Sequence, residues 1–392
     1  MHGSDSGSLT RSTEQAPLPF ALIRGGTSKA VFLRGRDLPP AGKQRDATIL
    51  GLFGSPDPRQ IDGLGGADLL TSKLAIIDEP TRSDADLDYT FAQVSISEPV
   101  VDYDINCGNI SAAVGAFAVD EALVEVTEPL THVRIHNTNT GRILVAEVPI
   151  LNGAAAVEGD YEVHGVPGTG APIGLDFSQT AGGITGALLP TGKEIDVLET
   201  AIGPVEATIV DLANLTVFVA AAAVGMAGTE GPQQFTKEHL AAVVAVKDAA
   251  AKLLGMATDG LTPVPAVVAA PADYTSFASG VPVSAADVDL VARVVGGRPL
   301  VLHKAYPGTV AATTGVAACI VGSIVNRVTD QARPGSIRIG HTSGVMPVRA
   351  SVGRDGDAWR VDEAVYHRTA RRLAEGTAFI RNTITTKGAP DS

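Results

Sequence analysis

Asp104-Ile-Asn-Cys-Gly-Asn-Ile-Ser-Ala-Ala-Val-Gly-Ala-Phe117 sets a cysteine between an extended run and a stretch of small apolar residues. From Ile110 to Val119 only one serine interrupts Ala, Val, Ile, Gly and Phe, a pattern that predicts a helix buried on every side. Such a helix needs a sheet wrapped around it. Cys107 would stand at its N-terminus, where the macrodipole and the unpaired backbone donors of Gly108 and Asn109 favour anions and thiolate. A thiol so held is placed to react.

The same design recurs two hundred positions later in Pro307-Gly-Thr-Val-Ala-Ala-Thr-Thr-Gly-Val-Ala-Ala-Cys-Ile-Val321, where Gly308, Ala312 and Gly315 align with Gly108, Ala112 and Gly115. The repeat predicts two similar α/β (α+β) domains, each a sheet around one small-residue helix, with both helix N-termini aimed at the cleft between them. Two positive dipole ends facing one cleft suit a ligand with several carboxylates. The halves are not chemically equivalent, because proline stands at 307 where the first half has Cys107. Cys319, a dozen residues into the second helix, reads as an inert core thiol.

A chain of 392 residues is long enough for two such cores, read as residues 18–190 and 191–383, with a disordered polar tail over 1–17 and another over 384–392. No unbroken apolar stretch reaches the length of a membrane span, and a formal charge of -13 disfavours nucleic acid and anionic membrane as partners. An anionic small molecule stays allowed, since a local positive pocket is enough to hold it. Two cysteines are too few for a disulfide framework, so a reducing, cytoplasmic location is expected. Oligomeric state is not legible in these residues, and a homodimer is left open.

Leu18 to Ile23 and Ala30 to Leu33 read as two strands joined by Arg24-Gly-Gly-Thr-Ser-Lys29. The glycines permit close approach of backbone to an anion, and Arg24, Thr27 and Ser28 offer a guanidinium fork and two hydroxyls; an ordinary hairpin turn is the alternative. A helix near Arg45 to Phe53 precedes Gly54 to Ala67, a segment of the kind that forms binding loops. Lys73 opens an apolar β-type run, either pointing into a cleft from a strand end or lying along an edge strand. Strands over Tyr89 to Ile96 and Pro99 to Tyr103 lead to Cys107, and Asn137-Thr-Asn-Thr-Gly141 marks a hairpin. In the second half, Lys237 to Leu254 behind Thr236 and Ala285 to Val295 behind Ser284 both read as outer packing helices. Arg368, Arg371 and Arg372 read as a charged helix face.

Arg24-Gly-Gly-Thr-Ser-Lys29, Gly54-Ser-Pro-Asp57, Gln60-Ile-Asp-Gly-Leu-Gly-Gly66, Thr71-Ser-Lys73, Asn106-Cys-Gly-Asn109, Leu189-Pro-Thr-Gly192, Gly340-His-Thr-Ser-Gly344 and Arg368-Thr-Ala-Arg371 occur in the order seen in the 2-methylaconitate cis-trans isomerase family. The chain resembles that family from about residue 18 to 380. The resemblance implies a diaminopimelate epimerase-like fold with the site between two pseudo-symmetric domains. It also implies an isomerase that needs no cofactor and moves or re-sets a C=C bond in a small unsaturated di- or tricarboxylate. The family's catalytic lysine and cysteine fall on Lys73 and Cys107. Pro271 to Gly280, Asp287 to Leu290 and Leu302 to Lys304 are similar to the methylaconitate branch, whereas Gly165 to Pro172 is similar to the 4-oxalomesaconate tautomerase branch. Methylitaconate and aconitate isomerisation stay open beside these.

For such chemistry the carboxylates must be gripped and the charge of a dienolate stabilised by fixed donors. The candidate binders are Arg24, Thr27, Ser28, Asn106, Gly108, Asn109, Gly308, Thr309, His341 and Ser343, each from a loop or helix start. Either Lys73 or Cys107 removes an allylic proton and the other returns one. No second histidine or carboxylate lies at ligand spacing from His341, so no metal is expected. Amino-acid racemisation on the same fold is disfavoured by the missing second thiol, and a non-catalytic accessory role by the retention of Lys73 with Cys107.

Overall fold

The computed structural model describes residues 12–103, 107–163, 165–297, 299–329 and 336–382. The first half runs β1 (Gln15–Gly25), β2 (Ser28–Arg34), α1 (Lys43–Phe53), β3 (Lys73–Asp78), β4 (Leu87–Val94), β5 (Val101–Asp102), α2 (Gly108–Asp120), β6 (Leu130–Asn137) and β7 (Arg142–Leu151). Short strands β8 (Ala154–Ala155), β9 (Tyr161–Glu162) and β10 (Thr169–Gly170) lead to β11 (Ile173–Asp176). The second half runs β12 (Asp196–Thr200), β13 (Gly203–Asp211), β14 (Leu215–Ala220), α3 (Lys237–Leu253) and β15 (Val264–Ala269). It continues through β16 (Tyr274–Thr275), β17 (Pro282–Val283), β18 (Leu290–Gly296), β19 (Val301–Leu302), α4 (Gly308–Cys319) and α5 (Ile324–Val328). The chain closes with β20 (Ile337–His341), β21 (Gly344–Asp355), β22 (Ala358–Arg368) and β23 (Ala370–Arg381). No helix among the described residues is long and apolar enough to cross a membrane.

Strand pairing reveals the repeat more fully than the two helices do. In the first half β1 is antiparallel to β2, β2 parallel to β3, β3 antiparallel to β4, β4 parallel to β6, and β6 antiparallel to β7. In the second half β13, β14, β15, β18, β20 and β21 repeat the same series of antiparallel and parallel steps. Each half thus places one helix, α1 or α3, in its β2–β3 or β14–β15 crossover, and another, α2 or α4, inside the wrapped sheet. β11 and β22 join the halves into one sheet of 19 strands. β23, the last strand among the described residues, pairs along β1 from Gln15↔Arg381 to Gly25↔Ala370 and so closes the sheet of the first half. β1 therefore begins inside the segment expected to be a tail, at Gln15.

The two central helices are built of small residues because the sheet closes directly on them. Ile110, Ala112, Ala113 and Val114 of α2, like Ala311, Ala312, Val316 and Ala317 of α4, are completely buried. A Cβ on Gly115 would lie 2.6 Å from the Cβ of Ala146 and 2.9 Å from Val148; one on Gly315 would lie 2.7 Å from Val348. The outer helices obey different rules. α3 is amphipathic and starts with a capping box, in which Thr236 Oγ1 accepts from the His239 amide while the Thr236 amide donates to His239 Nδ1. Its Val243, Val246 and Ala250 pack against β13, β14 and β15 residues, and α1 covers the other sheet through Ile49, Leu50 and Phe53.

Two expectations are corrected. Ala285 to Val295 is not a helix: Ser284 does cap a turn, its Oγ accepting from the Ala286 amide, but only Ala285–Asp287 follow it as a 3-10 turn. The run from Leu290 becomes β18, between β15 and β20 and buried on both faces. A strand with two buried faces reads as a continuous apolar run, so periodicity does not separate it from a helix, and its β-branched content decides. Likewise Arg368 ends β22 and Arg371 and Arg372 lie in β23, not on a helix face.

Replacing Gly115 or Gly315 by valine should lower the urea midpoint by the equivalent of about 1–3 kcal/mol, the usual cost of overpacking a tight core. An unchanged midpoint in both variants would contradict the packing described.

Candidate active site

The β1–β2 turn is pressed against the start of α2. A Cβ on Gly25 would overlap the Asn109 carbonyl, and one on Gly26, whose φ is +49°, would overlap the Asn109 side chain. The Asn109 side chain bridges two elements: its Nδ2 donates to Thr27 Oγ1 at 2.9 Å, and its Oδ1 accepts from Arg368 Nε at 3.0 Å. The second half makes the mirrored contact with donor and acceptor exchanged. There the β13–β14 turn supplies Asn214, whose Nδ2 donates to Thr309 Oγ1 at 2.7 Å at the start of α4.

Between the two helix starts lies the ring of Tyr366. A Cβ on either Gly108 or Gly308 would overlap it, which is the reason both positions are glycine. Tyr366 is 1% exposed and stacks on Phe177 with centroids 5.6 Å apart. Burial first, and then the neighbouring Cys107, raise its pKa while Arg368 opposes them, so the phenol is neutral near pH 7. Its hydroxyl has no hydrogen-bond partner among the described residues.

Cys107 is the N-cap of α2, in extended conformation, and its carbonyl accepts from the amides of Ile110 and Ser111. The thiol is half-buried and opens on a cavity of about 690 Å³. Thr27, Gly108, Asn109, Gly308, Thr309, His341 and Ser343 line the same cavity, so eight of the expected site residues converge there from both halves of the chain. His341 is buried and accepts at Nδ1 from the Ser343 amide, 3.2 Å away, and the Ser343 hydroxyl donates to the Lys304 carbonyl. Gly108 and Asn109 at the start of α2 and Gly308 and Thr309 at the start of α4, whose amides precede the intrahelical ladder, all line this space.

Other expected residues are placed elsewhere. Arg24 does not line the cavity: it donates to the Gly26 carbonyl and to both oxygens of Thr369, locking the glycine turn to the β22–β23 connection. Ser28 is buried off the cavity, its Oγ without a partner among the described residues. Asn106 lies outside the described residues. Lys73, 7% exposed, starts β3 opposite Gln93, and its Nζ donates to Gln93 Oε1 at 2.7 Å and stands 5.2 Å from the Phe91 centroid. It is not among the residues that line the cavity. The Gly54 to Ala67 segment contributes no lining residue; it closes on buried Gln60, which accepts from the Ala67 amide and the Ser72 hydroxyl.

Lining residues missed by sequence reasoning include Tyr366, Arg368, Lys304 and Tyr161. The paired glycines at 108 and 308 were the available signal for Tyr366, since two glycines at equivalent helix starts imply a bulky group between them. Arg368 and Lys304 put two cations on the wall of a cavity whose lining, among the described residues, holds one carboxylate, the exposed Glu162.

The two thiols should be chemically distinct. Burial pushes the Cys319 thiol up to about 11, so at pH 8 about one molecule in a thousand carries its thiolate. Iodoacetamide at pH 8 should therefore add once, at Cys107, and Cys107→Ser protein should stay unmodified on the same timescale; peptide mapping that finds Cys319 alkylated first would overturn this.

These features agree with comparison to known proteins. Residues 15–381 match the family model described as PrpF protein. The 3-methylitaconate isomerase of Eubacterium barkeri is 49% identical over 379 residues, covering 94% of this chain and 98% of that protein. The 2-methyl-aconitate isomerase of Cupriavidus necator is 39% identical over 387 residues, covering 92% and 96%. The crystal structure of a methylitaconate-delta-isomerase superposes with a TM-score of 0.90 at 48% identity, covering 97% of this chain and all of that one. With its diaminopimelate epimerase-like α/β fold and a match along nearly its whole length, the chain belongs to the PrpF protein family.

Proposed function

We propose that this isomerase moves or re-sets a C=C bond in a small unsaturated di- or tricarboxylate by allylic proton transfer, with Cys107 and Lys73 as the exchanging groups. The observation that carries the reading is one thiol held where two helix N-termini meet, in a cavity lined by Arg368 and Lys304, within a chain of net charge -13. An acidic protein that gathers positive potential in one cleft is suited to polycarboxylates. The names of the relatives fit that class.

The proton at the carbon allylic to the double bond leaves as the C–H bond breaks, and its electron pair spreads into the carboxylate-substituted π system as a dienolate. Amide donors at the starts of α2 and α4 stabilise the charge that develops on the carboxylate oxygens. A proton then returns at the far end of the allyl system, which shifts the bond. If the dienolate rotates first and the proton returns to its original carbon, the geometry changes instead. Both outcomes are isomerisations and balance without an electron acceptor. Support for Lys73 comes from strand register: it pairs with Gln93 across β3 and β4, Gln93 pairs with Asp102 across β4 and β5, and Cys107 follows five residues later in the sequence.

One observation favours a second reading of the partner: Tyr366 lies on the cavity wall and Lys73 does not. In that reading the neutral phenol returns the proton.

Proton NMR in deuterated buffer with 3-methylitaconate and 2-methylaconitate tests the proposal. Wild-type protein should incorporate solvent deuterium during isomerisation, and Cys107→Ser and Lys73→Ala should each lose about 10²–10⁴-fold in turnover, the range of one general acid or base. Turnover unaffected by Lys73→Ala but abolished by Tyr366→Phe would transfer the role to the phenol, and no exchange by wild-type protein with either compound would sink the reading.

A further inference from the structure

Among the described arginines withdrawn from solvent, Arg368 is the one that lines the cavity. Arg349 pairs with Glu147 and Glu363, Arg338 with Asp289, and Arg372 with Glu121 and Glu375. Arg24 and Arg293 lack a carboxylate but direct their donors to carbonyl and hydroxyl oxygens away from the cavity. Arg368 is 7% exposed, lines the cavity, and has no ion-pair partner among the described residues. Its Nε is taken by Asn109 Oδ1, and one terminal nitrogen by the His367 carbonyl at 2.9 Å. Among the described residues the other terminal nitrogen meets only the Met346 thioether, at 3.9 Å, a weak acceptor.

A buried guanidinium with an unused donor edge is costly unless an anion reaches it. Its orientation is fixed in advance: the planar group lies 4.8 Å from the Tyr366 centroid, and the relay from Thr27 through Asn109 pins the Nε edge. We propose that Arg368 is the specificity residue for one carboxylate of the substrate, receiving it on the terminal-nitrogen edge that now faces Met346. This rests on the polycarboxylate reading given above. The charged bond would form at a guanidinium largely withdrawn from solvent, whose fork recognises a carboxylate's charge and plane together. Lys304, exposed on the same lining, adds field without a fixed bond.

Titration calorimetry with propane-1,2,3-tricarboxylate, which has no double bond to move, tests this without requiring turnover. Wild-type protein should bind it, Arg368→Gln should weaken binding at least tenfold, and Arg368→Lys should recover part of the loss. Lys304→Gln, which removes a screened surface charge, should cost less than threefold. Arg360→Gln, which breaks an exposed pair with Asp362 remote from the cavity lining, should leave affinity unchanged. The assignment is overturned by failure of wild-type protein to bind the tricarboxylate, by wild-type affinity in Arg368→Gln, by equal losses in Arg368→Gln and Lys304→Gln, or by no recovery in Arg368→Lys. Arg368-dependent binding in a protein that exchanges no deuterium would sink the isomerase reading alone, whereas isomerisation with unchanged KM in Arg368→Gln would sink this one alone.

Discussion

The packing of Tyr366 between Gly108 and Gly308 is the constraint on which the site depends. Two helices from opposite halves of the chain start against one tyrosine side chain, Gly108 at its hydroxyl and Gly308 at its ring, and neither start has room for a side chain. Burying a phenol hydroxyl without a partner costs about 1–3 kcal/mol. The stack on Phe177 offsets part of that, at about 0.5–1.5 kcal/mol for an aromatic pair. The same ring supports Arg368 and adjoins Cys107. One side chain thus sets the spacing of two anion-binding helix ends and the position of a cation beside a thiol.

The two halves share an architecture but not a chemistry. Both wrap a sheet with the same order of parallel and antiparallel steps around a small-residue helix, and both tie the helix start to a hairpin turn through one amide-to-hydroxyl bond. Yet the cap of α2 is Cys107 and that of α4 is Pro307. The first residue of the parallel strand is Lys73 in one half and Val264 in the other. Cys107 and Lys73 belong to one half, while the other brings Tyr366, His341 and Lys304 to the cavity besides the amides at the start of α4.

The central helices were legible from residue type, because a helix enclosed by a sheet admits only small side chains at its closest approaches. The wrapped β architecture followed from that requirement, and the glycine pairs at 108/308 and 115/315 carried the repeat. β18 was not legible as a strand, since burial on both faces removes the alternation that marks one. Arg368 was misread for a different reason: its role comes from a bond to Asn109, 259 positions away, and no local pattern encodes such a bond. Arg24 shows the reverse error. A guanidinium beside two glycines looks like an anion binder, but Thr369 from the last turn of the chain takes its donors.

That exchange of roles between Arg24 and Arg368 has a structural cause in the path of the chain. After β22 passes the cavity, β23 crosses back to pair with β1 along its whole length. The β22–β23 connection therefore arrives beside the glycine turn, bringing Thr369 to Arg24 and Arg368 to Asn109 at once. The Gly26 amide adds a bond to the Thr369 carbonyl at 2.8 Å, so the crossing is fixed by backbone as well as side chains. Arg24 acts as the fastener and Arg368 as the charge that faces the cleft. No residue of β23 lines the cavity, so that strand's contribution is indirect: its pairing with β1 sets where the β22–β23 connection, and with it Arg368, meets the first half.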